Sequence, residues 1–130
     1  MKTLILAVLA TTLFISNAQA GVLTFTCDFP TIVSSRAALQ SQDFGFVIRI
    51  DTVTYEALLL GNNGHAELIN ASTTDEQVVF IEITPSGSVQ TTAILRKSNK
   101  AIHSRHTVTT GLDGDRRFIE SQNHGTCVPS

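Results

Sequence analysis

Four consecutive residues, His103-Ser104-Arg105-His106, gather two imidazoles, a hydroxyl and a guanidinium into the densest polar cluster of the 130-residue sequence. Such groups serve metal ligation, nucleophilic attack by a serine beside a general base, or recognition of a ligand by charge and hydrogen bonding. A strand through the cluster disfavours the first two. Side chains two apart share a face, so His103 goes with Arg105 and Ser104 with His106, and the two histidines point oppositely. A zinc site needs three or four converging ligands, and neither His65 nor His124 stands at a recognisable ligand spacing. Attack by Ser104 with His106 as base needs hydrogen-bond reach and a third, orienting group. Same-face neighbours on a strand lie about 7 Å apart at the backbone, and no G-x-S-x-G elbow is present. The expectation is no catalytic residue, no metal and no cofactor, with a small hydrolase using Ser104 and His106 as an alternative.

Recognition is the chemistry left, and His103, Ser104, Arg105 and His106 form the candidate binding site. Taking Ile102 and Val108 as the core parity places Ser104 and His106 inward and exposes His103 and Arg105. Inward polar groups must then form a satisfied network, with Glu82 or Glu67 as partners, or line a ligand cavity. The remaining motifs are bland. Gly61-Asn62-Asn63-Gly64 lacks the lysine and the following helix of a phosphate loop and reads as a turn. Asp113-Gly114-Asp115 has calcium-like spacing, but Glu120 falls too early for a bidentate ligand, so a solvated loop is expected.

The elements that must carry these residues are strands. Leu23, Phe25, Cys27 and Phe29 share one parity, and Phe44, Phe46, Ile48 and Ile50 repeat the pattern. Val78 to Ile83 is a more continuous apolar run, as in a strand covered on both faces. Turn residues punctuate the chain at Asp51-Thr52, Gly61 to Gly64, Pro85-Ser86-Gly87 and Lys97-Ser98-Asn99, and again at Gly111 to Asp115 before a short last strand around Arg117 to Glu120. The fold class is all-β, a small antiparallel meander of about eight strands forming a barrel or sandwich. Pro30 to Asp43 is the exception. There Ser34 can cap a short helix over residues 34–40, or the segment can cross as a loop.

Lys2, the apolar stretch Leu4 to Ile15 and Ala18-Gln19-Ala20 have the form of a signal peptide over residues 1–20, cut before Gly21. The stretch is shorter than the ~20 residues that span a bilayer, and no later segment is more apolar, so no membrane insertion is expected after its removal. Residues 21–130 then form a single exported β domain, periplasmic or secreted. It carries eight Lys or Arg against eleven Asp or Glu with no long basic run, which disfavours nucleic acid as a partner. An unidentified protein, an envelope component or a small ligand is the expected partner. In an oxidising compartment Cys27 and Cys127 pair, joining the first strand to the tail after the last one, where a barrel must close. Asn70-Ala71-Ser72 is a formal glycosylation sequon that reads as accidental.

The stretches T-F-T-C-D-F, G-N-N-G, V-F-I-E-I-T, S-G-S-V-Q-T-T, A-I-H-S-R-H-T-V and S-Q-N-H-G-T-C together resemble a group of small exported alphaproteobacterial proteins of unknown function. That resemblance spans most of the chain after residue 20 and implies an exported single domain without assigning an activity. In layout the chain is also similar to periplasmic inhibitors of c-type lysozyme, exported small barrels with a disulfide between early and terminal segments. Their S-G-x-x-Y motif meets Ser86-Gly87-Ser88-Val89-Gln90 here, with glutamine in place of tyrosine. This second resemblance implies lysozyme inhibition as an alternative to a general binding module.

Overall fold

The alternating phenylalanines and isoleucines form one wall of a closed sheet. The computed structural model describes residues 21–130, so the expected signal peptide lies outside the described residues. Nine strands run through the described residues: β1 (Val22–Ser34), β2 (Ala37–Ser41), β3 (Gly45–Asp51), β4 (Ala57–Gly61), β5 (Gly64–Thr73), β6 (Gln77–Ile83), β7 (Val89–Leu95), β8 (Lys100–Thr110) and β9 (Arg116–Pro129). All pairings are antiparallel, in the order β2-β1-β3-β4-β5-β6-β7-β8-β9, and β1 also pairs β9. Eight strands thus close a barrel, with β2 as an extra strand on the upper part of β1.

Eight strands leave an interior that side chains can fill or that can hold one small ligand. Here the lower part is filled. Phe25, Phe29, Phe46, Ile48, Ile50, Val78, Phe80 and Ile94 are buried there with both cysteines. Phe25 meets Phe80 edge-on, with ring centroids 6.4 Å apart. Cys27 and Cys127 stand directly opposite each other in the β1–β9 register and form a disulfide. The bridge is therefore a rung across the seam where the sheet meets itself.

The structure corrects several expectations. The segment over residues 34–40 is not helical. β1 runs through Pro30 to Ser34, turns at Ser35-Arg36 and returns as β2. Strand pairing wins because Ile32 has a partner on both sides, Gln40 of β2 and Asn123 of β9, which satisfies the backbone as a local helix would. Pro30 is accommodated at a bulge, where the β1–β9 register shifts between Asp28 and Thr31 and the missing N–H does no harm. Gly125 faces that bulge so closely that a Cβ would collide with the Asp28 carbonyl oxygen.

The last strand is not a short one over Arg117 to Glu120. It runs from Arg116 to Pro129, and Cys127 lies within it rather than in a tail. β6 is also not covered on both faces. Val78 and Phe80 are buried while Ile83 is 62% exposed, because a single closed sheet has no second layer over its outside. In the Gly61–Gly64 hairpin the positive φ falls on Gly64, at 115°, and not on either asparagine.

Candidate functional site

Register fixes which side chains meet inside the barrel, since directly opposed residues of an antiparallel pair share a face. Three inward rows cross β6, β7, β8 and β9. The lowest is Val78, Ile94, Ala101 and Gly125; the middle is Phe80, Thr92, His103 and Asn123; the upper is Glu82, Gln90, Arg105 and Ser121. Polarity rises row by row toward one mouth of the barrel. There a cavity of about 680 Å³ is lined by Phe44, Phe46, Leu59, Glu82, Gln90, His103 and Arg105, with the Gly61–Gly64 turn at its rim.

This geometry reverses the parity expected for β8. His103 is only 1% exposed and faces inward with Arg105, whereas Ile102 is 41% exposed and Val108 39%. Ser104 and His106 share the outer face with those two apolar residues. Ile102 and Val108 mislead because the inner row at this level is polar and the outer face is free to be apolar. The structure therefore brings His103 and Arg105 to the cavity and keeps Ser104 and His106 away from it. Glu82 lines the cavity with them, whereas Glu67 stands on the outside, opposite Leu58 in the register.

His103 is the hub of the site. Its Nδ1 lies 2.9 Å from Thr92 Oγ1, its Nε2 lies 3.1 Å from Gln90 Oε1, and Arg105 Nε donates to Nε2 at 3.3 Å. The carbonyl of His103 accepts from Asn123 Nδ2 at 2.8 Å, and Asn123 Oδ1 accepts in turn from Gln42 Nε2 at 2.8 Å. Every buried side-chain polar atom among the described residues has a hydrogen-bond partner. Phe29, Phe44 and Phe46 enclose the imidazole, with centroids 5.1 to 5.8 Å away. Burial in this aromatic collar and, to a lesser extent, the Arg105 charge together lower the His103 pKa to about 4.

A neutral imidazole offers one donor and one acceptor, so its partners divide into two exclusive sets. With the proton on Nδ1, His103 donates to Thr92 Oγ1 and Nε2 accepts from Arg105. With the proton on Nε2, it donates to Gln90 Oε1, Nδ1 accepts from the Thr92 hydroxyl, and Arg105 loses its acceptor. The hydrogen bonding of Arg105 is thus coupled to the tautomer of a buried histidine.

Arg105 lies half-buried, its Cζ 4.2 Å from the centre of the Phe44 ring. Burial lowers its pKa, opposed by the negative charge of Glu82. Among the described residues no carboxylate lies within 4 Å of its guanidinium; the one ion pair joins Arg117 to Asp113 at the exposed β8–β9 turn. No three His, Cys, Asp or Glu side chains of the described residues group as metal ligands. Sequence reasoning missed Gln42, Phe44, Gln90, Thr92 and Asn123 as site residues. Parity from the buried apolar positions carries the signal for part of the set: Gln90 and Thr92 follow from Ile94, as Glu82 follows from Phe80 and Val78. Comparison with protein-family models, curated proteins and solved structures found no match to this chain.

Proposed function

We propose that this chain is an exported, non-catalytic binding module that takes a small ligand into the mouth of its barrel. The observation that carries the reading is the convergence of Glu82, Gln90, His103 and Arg105 with Phe44 and Phe46 on one cavity of about 680 Å³. Ligand sites are concave, partly apolar and furnished with a few placed polar groups, and their volumes run from about 300 to 1,000 Å³. Arg105 and His103 are the contact residues of the original four, and Ser104 and His106 stand outside the cavity. The Cys27–Cys127 bridge supports residence in an oxidising compartment, periplasmic or extracellular.

The test is a fragment screen followed by amide NMR. Ligand-dependent shifts should concentrate at Phe44, Phe46, Gln90 and His103. Arg105→Ala should weaken binding at least about tenfold, as expected for loss of a charge-assisted contact, and His106→Ala should leave it unchanged. Shifts scattered over the outer face, or equal losses in both variants, would remove the proposal.

A second reading is inhibition of c-type lysozyme, supported by the closed barrel and by the bridge between its first and last strands. Gln90 takes the place of the motif tyrosine and points to His103 inside the barrel. A lysozyme turbidity assay decides this reading, since undiminished lysis at excess protein ends it.

A further inference from the structure

Resting on the reading of the barrel mouth as a ligand site, we infer that its occupant is a small zwitterion with an apolar side group, such as a free amino acid. Two opposite charges, Glu82 and Arg105, line one cavity without pairing to each other. The register explains their separation. Gln90 stands between them, opposite Glu82 on one side and Arg105 on the other, so two strand spacings, about 9 to 10 Å at the backbone, lie between the charged residues. Arg105 is held from two directions, by its Nε hydrogen bond to His103 and by the Phe44 ring. Its terminal amino groups make no side-chain hydrogen bond among the described residues, and neither does the Glu82 carboxylate.

A cation entering this space would meet Arg105 and an anion would meet Glu82. A neutral ligand would displace water from both charges without replacing its hydrogen bonds, which is costly. A zwitterion satisfies both, with its carboxylate on the forked guanidinium and its ammonium on Glu82. Phe44, Phe46 and Leu59 supply an apolar wall for the remainder of the molecule.

The test uses one aromatic skeleton with its charges removed in turn, titrated into the protein by calorimetry and amide NMR: phenylalanine (zwitterion), phenylpropionate (anion) and phenethylamine (cation). Leucine and γ-aminobutyrate vary the side group and the charge spacing. At least one zwitterion should bind with shifts at Gln90 and His103, and phenylpropionate and phenethylamine should each bind about tenfold or more weakly than phenylalanine. Glu82→Gln should erase the preference for phenylalanine over phenylpropionate, and Arg105→Gln should abolish binding of both, with amide spectra confirming that each variant is folded. Equal or tighter binding of phenylpropionate or phenethylamine at the mouth would overturn the zwitterion assignment and leave the ligand-site reading standing. If no probe and no library fragment shifts the mouth residues, both fall.

Discussion

The two halves of the barrel interior are built from the same strands and obey different rules. Below His103, the β6–β9 row of Val78, Ile94, Ala101 and Gly125 is apolar, and phenylalanines and isoleucines pack against a disulfide rung. Above it, Glu82, Gln90 and Arg105 surround open space. The lower half has the composition of a core, where close packing stabilises. The upper half sets half-buried charges around a cavity that side chains do not close-pack. The fold is thus packed at one end of the barrel and open at the other.

Replacing matched residues in the two halves tests this division most sharply. Phe80→Ala, in the fully buried part, should cost about 3–5 kcal/mol in chemical denaturation. Phe44→Ala, at the half-buried cavity wall, should cost less than half as much; equal costs would erase the distinction. Next in size is the seam. Cys27→Ala with Cys127→Ala opens a loop closed across a sequence separation of 100 and should lower stability by about 2–5 kcal/mol. A two-step unfolding curve in that variant would show that the halves can separate.

Acid should act on the boundary between them. His103 titrates near 4 in the folded chain, against 6.5 for an ordinary histidine. Between those values the unfolded chain binds more protons, so its contribution is fully present above pH 6.5 and is lost as pH falls through the window to 4. The loss amounts to roughly 3 kcal/mol. His103→Gln should remove most of that pH slope, measured as the difference between wild-type and variant denaturation at pH 7 and 4.5. Identical slopes would place the histidine in a solvated site. The smallest effect belongs to the outer face. His106→Ala should change stability by less than about 0.5 kcal/mol, and a larger loss would mean that the outside of β8 is structurally engaged.

Legibility followed the same division. In the lower half, sequence and structure agree residue by residue: Phe25, Cys27 and Phe29, then Phe46, Ile48 and Ile50, alternate as their burial requires. Toward the mouth the same rule misleads. His103 and Asn123 are buried polar residues, so at this level the inward positions of their strands are not apolar. Ile102 and Val108 then mimic a core face on β8, and Ser121 to Thr126 does not read as a strand at all. The segment after Pro30 failed for another reason. Its strand exists because β2 and β9 flank it; β2 returns through a two-residue turn that carries no glycine or proline, and β9 is about 90 residues away in the chain.

By itself the sequence determined an all-β meander, its main turns and the cysteine pair, because alternation and turn chemistry are local properties of the chain. Only the tertiary structure decided that the sheet closes as a barrel with Cys27 opposite Cys127. It also decided that His103 and Arg105, rather than Ser104 and His106, meet Glu82 and Gln90 around a cavity. Those are matters of register between strands, of β1 with β9 across the seam in the first case and of β6, β7 and β8 with one another in the second. A shift of one residue turns every side chain to the opposite face.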